Sequence, residues 1–177
     1  MQNIKKILVP IDGSKNSMRG LDEAIYLARQ CHAIITGLYV IPISKPITDS
    51  QMSYLEKYLL NNASKFMSKA KTRAAQNGIL FDDATIHGDE GPKIISYADD
   101  KLYDIIVIGS RGMGSMKEIF LGSTSHYVLH KAKMLRSDVL VIWVKRGKYA
   151  KKQRPIEGFT PDAIIENLRE LLPIILN

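Results

Sequence analysis

The sequence is poor in cysteine and lacks any long apolar run. Cys31 is the only cysteine among 177 residues, which excludes an internal disulfide and a cysteine-rich zinc site and favours a reducing compartment. The longest apolar candidate, Val139–Val144, has the length of a strand and falls far short of the roughly 20 residues that cross a bilayer. Near the start, the apolar run 7–11 is too short for a signal peptide and contains Pro10. We therefore expect a soluble, cytoplasmic protein with no membrane partner.

Basic residues outnumber acidic ones, and the excess is uneven along the chain. The 25 lysines and arginines against 18 aspartates and glutamates give a net charge of +7, which suggests an anionic partner such as a nucleotide, a nucleic acid or a membrane surface. Six basic residues and no acid lie between Lys145 and Arg154, as is typical of a solvated connector. Tyr149 is the only aromatic residue in this run, so stacking of nucleic-acid bases has little support. We predict a globular domain over 1–146, a basic linker over 147–159 and a C-terminal segment over 160–177.

Apolar runs alternate with helical patterns along most of the chain. Two runs, 5–12 and 104–109, are strongly apolar, as expected of parallel strands buried on both faces. Less regular runs predict three further strands, and apolar residues at helical spacing predict a helix after each of the first four strands. The predicted strands are 5–12, 33–41, 79–87, 104–109 and 138–144, and the predicted helices start near Ser17, Gln51, Pro92 and Ser123. The pattern indicates an α/β fold with an open five-stranded parallel sheet in the order 3-2-1-4-5.

A sheet of this order has a switch point between strands one and four. Ligands of such folds bind beyond the carboxyl ends of the strands at that point. The segments that meet there are Asp12–Ser14, after strand one, and the loop that begins at Gly109, after strand four. These two segments are therefore the candidate ligand site.

The loop after strand four is rich in glycine but matches neither of two familiar phosphate loops. A Walker A motif is absent because Ser115, and not a lysine, follows Gly114, and a dinucleotide fingerprint lacks its third glycine at position 117. The loop instead has the spacing Gly109-x2-Gly112-x9-Gly122-Ser123, followed by Thr124. Glycines let backbone N–H groups approach an anion, and a helix N-terminus adds donors and a positive dipole end. On this chemistry alone, phosphate binding and a set of turn glycines before a helix cap both account for the pattern.

The glycine spacing resembles the nucleotide-binding signature of ATP-binding universal stress proteins. Similar stretches lie outside the loop: ILVPIDGSKNS at the start, LYVIP at the end of strand two, a glycine turn before the third helix and VLVIWV as the last strand. The resemblance extends over about Ile4–Val144. It implies a Rossmann-like fold of the adenine nucleotide alpha hydrolase-like type, ATP held with Mg²⁺ or Mn²⁺, and a homodimer formed through the last strand, Val139–Val144.

The resemblance also implies which residues contact the nucleotide. Asp12 corresponds to the acid near the ribose and the metal ion, and Val40 to the residue whose backbone meets adenine. The triphosphate cradle corresponds to Gly109, Gly112, Gly122, Ser123 and Thr124, and the binding set also includes Pro10. Arg111 is a further candidate on its charge alone, either placed over the phosphates or solvated in the loop. Thr124 stands where many members carry an aliphatic residue, which leaves its backbone role intact. Read without the resemblance, Asp12 before Gly-Ser is also a routine turn former.

These features predict three alternative functions. The first is a dimeric regulator in the stress response that holds ATP with Mg²⁺ and changes its affinity for a partner with the bound nucleotide. The second is a slow ATPase or a phosphoryl- or nucleotidyl-transfer enzyme that uses the same cradle, with catalytic residues unassigned. The third is a nucleic-acid-associated module that uses the basic linker. His126 and His130 share a helix face, but no third ligand accompanies them, so we do not predict a metal pair there.

Residues 160–177 have the pattern of an amphipathic helix. Thr160, Pro161 and Asp162 give a cap, a first-turn proline and a favourable acid. The apolar stripe that follows consists of Ile164, Ile165, Leu168, Leu171, Leu172 and Ile175. We expect this helix to dock on its own dimer or on a protein partner, because an interfacial membrane helix carries basic residues on its polar face and this one carries mostly acids.

Overall fold

The computed structural model describes residues 4–43, 54–110, 112, 122–135, 140–144 and 160–176. Its elements are β1 (Lys6–Pro10), α1 (Lys15–Cys31), β2 (Ile34–Ile41), α2 (Tyr54–Gln76), β3 (Phe81–His87), α3 (Glu90–Asp100), β4 (Ile105–Ile106), α4 (Ser123–Leu135), β5 (Ile142–Val144), β6 (Ala163–Ile165), a 3₁₀ turn (Leu168–Glu170) and α5 (Leu172–Leu176). Within the described ranges, no helix combines the length and the apolar character that a membrane span requires.

The main sheet has four parallel strands in the order β3-β2-β1-β4. β1 is central, since Ile7 is aligned with Ile35 of β2 on one side and with Ile105 of β4 on the other. Ile7, Leu8 and Val9 of β1 are fully buried, as the continuous apolar run predicts. The structure confirms the α/β class and the predicted order of the first four strands.

The fifth strand differs from the prediction. β5 forms a parallel ladder with β6, a strand from the C-terminal segment. Among the described residues, no ladder joins β5 to β4. The prediction of one five-stranded sheet is wrong in this respect, because the described strands form a four-stranded and a two-stranded sheet. Val139, at the start of the predicted last strand, lies outside the described residues.

Two apolar layers sandwich the main sheet. Ile7 and Val9 of β1 pack in a buried cluster with α1 and α2. Leu8, between them, points to the opposite face and packs in a second cluster with Ile94 of α3 and Val128 of α4. This alternation follows from the period of two in a strand. The switch point at the carboxyl ends of β1 and β4 therefore lies between α1 and α2 on one face of the sheet and α3 and α4 on the other. We call this place the crevice.

The C-terminal segment is not the single helix that its apolar spacing predicts. It forms β6, the 3₁₀ turn and the short helix α5. Pro173 offers a physical reason, because a helix that continued through it would lose the bond to the carbonyl four residues earlier and meet a steric clash there. In the structure Pro173 is the second residue of α5, where proline is tolerated.

The buried side of this segment is nevertheless apolar, as the stripe predicts. Ile165, Leu168 and Leu171 are all less than 10% exposed and belong to the buried cluster of α1 and α2. The segment therefore docks on its own chain, beside α1. The sequence predicted docking on the protein's own dimer or on a protein partner, and burial of these three side chains requires neither.

Candidate functional site

The turn after β1 is a tight, hydrogen-bonded structure that places Asp12 at the crevice. The Oδ1 atom of Asp12 accepts a hydrogen bond from the backbone N–H of Ser14 at 2.9 Å. Gly13 has φ of +82°, a left-handed conformation that favours glycine. Ser14 is the N-cap of α1, since its hydroxyl oxygen accepts from the N–H of Ser17 at 3.1 Å. The helix start predicted near Ser17 lies two residues after the observed start at Lys15.

Gly112 of the glycine loop lies directly against Asp12. A Cβ atom built on Gly112 would be 2.5 Å from the Oδ2 atom of Asp12. Two segments that are 100 residues apart in the sequence therefore meet at the switch point, as predicted. Only a residue without a side chain allows this approach, since real Cβ atoms do not come closer than about 3 Å to another heavy atom.

The start of the same loop packs on α1. A Cβ atom on Gly109 would be 2.9 Å from the backbone oxygen of Asn16. The hydroxyl of Ser125, which is buried, donates to the carbonyl oxygen of Gly109 at 2.7 Å. The N–H of Gly122 donates to the carbonyl oxygen of Ser110 at 2.8 Å. These contacts fasten the N-terminus of α4 to the carboxyl end of β4, so the first backbone N–H groups of α4 are held at the crevice.

Thr124 has a partner that the sequence does not reveal. Its hydroxyl donates a hydrogen bond to the Oε2 atom of Glu90, at the start of α3, at 2.6 Å. Gly91, which has no side chain, lets the two helices approach closely. A Cβ atom at this position would be only 2.6 Å from the ring of Tyr127. No motif links Glu90 to Thr124, and only the packing of α3 on α4 brings them together.

The pKa of Tyr39, on β2, is affected by two carboxylates near the crevice. Burial of the ring raises the pKa of the Tyr39 hydroxyl, and the carboxylates of Glu90 and Asp12 raise it further because they oppose a phenolate. The ring also packs edge-on against Phe66 of α2, with the centroids 5.2 Å apart. Two carboxylates from different elements therefore act on the same region at the end of β2.

The remaining predicted residues lie at strand and helix ends around this region. Pro10 is the last residue of β1 and is aligned with Leu38 of β2. Val40 lies near the end of β2, with its side chain buried against α3. Ser123 is the first residue of α4 and is exposed. Arg111 lies outside the described residues.

Basic side chains line a groove beside the Asp12–Ser14 turn. The groove has a volume of about 510 Å³ and lies between α1 and α2. Its charged lining residues are Lys15, Arg19, Lys69 and Arg73, with Asp22 as the acid. Asp22 forms an ion pair with Arg73 at 3.0 Å. The net positive charge favours the approach of an anion to this side of the crevice.

Two pairs that include histidine lie outside the predicted site. His87 ends β3, and its Nε2 atom is 2.7 Å from the Oε1 atom of the buried Glu56. The rings of His126 and His130 stack with their centroids 4.4 Å apart. In the part of the chain that the structure describes, no three potential metal ligands of the His, Cys, Asp or Glu type come together.

Comparison with known proteins identifies similar sequences and structures. The family model described as "Universal stress protein family" matches residues 3–142. Universal stress protein YxiE of Bacillus subtilis is 32% identical over 133 residues, which cover 70% of this chain and 90% of that protein. The structure of universal stress protein UspA from Lactobacillus plantarum aligns with a TM-score of 0.65 at 27% identity, covering 73% of this chain and 93% of that one.

Two more distant solved structures hold adenine nucleotides. A universal stress protein in complex with cAMP aligns with a TM-score of 0.55 at 19% identity, covering 73% of this chain and 90% of that one. A universal stress protein family protein of Arabidopsis thaliana with AMP bound aligns with a TM-score of 0.55 at 16% identity, covering 73% and 86%. At these identities the likeness concerns the fold alone.

Proposed function

Because the chain belongs to the universal stress protein family, we propose that it binds an adenine nucleotide in the crevice between β1 and β4. The observation that carries the proposal is the contact of the Gly112 backbone with the Asp12 carboxylate. It joins the two segments that a nucleotide at a switch point has to bridge. The distant structures with cAMP and AMP show that the fold accommodates ligands of this class.

The proposed contacts divide between backbone and side chains. The N–H groups around Gly109, Gly112 and Gly122 and at the start of α4, including Ser123 and Thr124, receive the phosphates, because a helix N-terminus attracts anions. Asp12 lies near the ribose, and the backbone of Val40 meets adenine. Pro10 and Arg111 complete the set.

ATP is the nucleotide that we propose, with Mg²⁺ or Mn²⁺ as counter-cation. Asp12 supplies a carboxylate beside Gly112 of the glycine loop. Carboxylate oxygens are preferred Mg²⁺ ligands, so this residue fits a hard cation. Bound there, the cation would neutralise charge on the phosphates. The chain itself contributes the carboxylate, the backbone donors and the basic groove beside them.

We further propose that the nucleotide acts as a regulatory signal in a homodimer. β6 occupies one edge of β5, so a dimer through Val139–Val144 would use the other edge. The alternative of an ATPase or transferase predicts steady turnover. The alternative of a nucleic-acid module rests on 147–159, outside the described residues, and predicts salt-sensitive binding that is lost with that segment.

Nucleotide carried through purification is the direct test of binding. The protein is denatured, the released ligand is identified by mass, and melting curves are recorded with ATP, ADP and AMP. We expect an adenine nucleotide in the extract and stabilisation by about 2.7 kcal/mol at a ligand concentration of about 100 Kd. Asp12→Asn keeps an oxygen that accepts from Ser14 but removes the charge, so it should weaken binding in the presence of Mg²⁺.

An empty protein that no nucleotide stabilises would contradict the proposal. Unchanged ATP over hours with Mg²⁺ favours the regulatory function. Multiple turnover that Asp12→Asn abolishes would favour the enzyme instead.

A further inference from the structure

A carboxylate from another helix already lies at the N-terminus of α4. Glu90 opens α3, and its Oε2 atom accepts the hydrogen bond of the Thr124 hydroxyl at 2.6 Å. Thr124 is the second residue of α4. The phosphates of the proposed nucleotide would bind at the N-terminus of α4, which is where the Glu90 carboxylate lies.

The contact is a consequence of how the two helices pack. Gly91 is buried, and the absence of a side chain lets the first turn of α3 approach the ring of Tyr127 on α4. A side chain at position 91 would collide with that ring, because its Cβ would lie 2.6 Å from the nearest ring carbon. The backbone of Glu90 is therefore held beside α4, and its exposed side chain reaches the Thr124 hydroxyl.

Electrostatics favours a carboxylate there when no ligand is bound. The first turn of α4 contains no acid of its own, although a helix N-terminus has unsatisfied N–H groups and a positive dipole end. Glu90 supplies the missing negative charge from α3. Its influence on Tyr39, shared with Asp12, indicates that this charge also acts on the crevice.

We propose that Glu90 is an intramolecular competitor of the nucleotide's phosphates and thereby a specificity-determining residue. The proposal rests on the proposed nucleotide site. When the site is empty, the Glu90 carboxylate occupies the N-terminus of α4. A phosphate that binds there displaces it and remains close to its charge, so every added phosphate charge increases the repulsion. Glu90 therefore lowers the affinity for nucleotides in proportion to their number of phosphates.

Removal of this charge alone is the test. Glu90→Gln keeps an oxygen that accepts from Thr124 but is neutral. Asp89→Asn is the matched control, because Asp89 is the neighbouring exposed acid, caps α3 without a side-chain hydrogen bond, and can be replaced by another good capping residue. Calorimetry gives Kd values of the wild type and both variants for adenosine, AMP, ADP and ATP, with and without Mg²⁺, and melting curves without ligand verify folding.

We expect Glu90→Gln to bind ATP roughly tenfold more tightly than the wild type, because a like charge beside the phosphates is removed. The gain should be smaller for ADP and AMP and absent for adenosine. Asp89→Asn should stay within about twofold of the wild type for all four ligands, since the hydrogen bond that places a carboxylate at α4 belongs to Glu90 and solvent screens the exposed charge of Asp89.

Three results would overturn the inference while leaving the nucleotide site in place. They are an equal gain for adenosine, an equal gain in Asp89→Asn, and weaker or unchanged ATP binding by Glu90→Gln with Mg²⁺, which would make Glu90 a ligand contact or a bystander. If none of the three proteins bound any nucleotide, the proposed function would fail and the competition with it.

Discussion

At the residue scale, the absence of a side chain at Gly112 allows the glycine loop to approach Asp12. The position of its missing Cβ is 2.5 Å from Asp12 Oδ2, so a side chain there and the present carboxylate position exclude each other. The clash would be with a side-chain oxygen of Asp12 and not with backbone, so it would move the carboxylate and not the path of the chain. A substitution at 112 should therefore disturb the proposed site much more than the stability of the fold.

We expect Gly112→Ala to bind ATP at least about tenfold more weakly, because a displaced carboxylate loses contacts that are each worth about 1.5–3 kcal/mol for charged groups. The melting temperature without ligand should change little. Gly20→Ala is the control, since its Cβ would make only ordinary contact with the same loop, 3.5 Å from the N atom of Gly109. Equal ATP affinity of both variants, measured by calorimetry, would contradict the proposed role of the Gly112–Asp12 contact.

The strand order predicted that Asp12 and the glycine loop meet, whereas nothing in the sequence predicted the contact between Glu90 and Thr124. Asp12 and Gly109 follow strongly apolar strands, and the order of the strands alone brings them together. Glu90 follows a less regular strand, and its contact with Thr124 depends on the close approach of Gly91 and Tyr127. A single sequence contains no signal for which two helices touch at their first turns.

At the scale of elements, Asp162 fixes the start of β6 to β5. Its Oδ2 atom accepts from the N–H of Val141 at 2.7 Å, and its Oδ1 atom is 2.6 Å from Nζ of Lys133 on α4. The Lys133 hydrogen bond, followed by the Val141 N–H, holds the pKa of the Asp162 carboxyl below its usual value. The acid that the sequence assigns to a helix start thus serves a strand pair.

The sign of the Asp162 pKa shift fixes a pH dependence. A carboxyl group with a lowered pKa in the folded state contributes stability above the pKa of the unfolded chain, and this contribution is lost as the pH falls through the folded pKa. Asp162→Asn should melt a few degrees lower than the wild type at pH 7, as for a partly exposed ion pair. The difference should vanish in acid.

Glu166→Gln is the control for this prediction, because Glu166 is an exposed acid of the same segment. Its melting temperature should follow that of the wild type across the pH range. A wild type that keeps its full advantage over Asp162→Asn at low pH would contradict the assigned role of the carboxylate.

At the scale of elements, the sequence pattern predicted the main helices and strands correctly. It predicted the wrong structure for the C-terminal segment, where pairing with β5 competes with a helix. α2 ends at Gln76, and the next two residues are Asn77 and Gly78, a pair that typically stops a helix. Gly78 has φ of +71°. The C-terminal stripe satisfied the helical period, yet the β-branched Ile164 and Ile165 pair with β5 instead. Tertiary pairing and Pro173 together override the local pattern.

At the scale of the whole molecule, the C-terminal segment completes the core. α1 and α2 lie on one side of the main sheet, in the buried cluster that contains Ile7 and Val9 of β1. Leu168 and Leu171 belong to the same cluster. The C-terminal segment therefore contributes buried apolar surface to the side of the sheet that α1 and α2 cover.

Neighbouring isoleucines of β6 test this docking. Ile165 is 3% exposed and Ile164 is 54% exposed. We expect Ile165→Ala to lower the free energy of unfolding by about 2–5 kcal/mol, as for other buried large-to-small changes. Ile164→Ala should cost less than about 1 kcal/mol. Urea unfolding of both variants measures the two values, and equal losses would mean that the segment does not dock as described.

The parallel pairing of β5 with β6 bears on the basic run, because this run lies between the two strands in the sequence. Two parallel strands cannot be joined by a tight turn, and residues 145–162 separate Val144 of β5 from Ala163 of β6 in the sequence. The six positive charges between Lys145 and Arg154 therefore belong to the connection within one strand ladder. Removal of the basic run would change the link between two paired strands, so a test of its role also has to measure the stability of the β5–β6 pair.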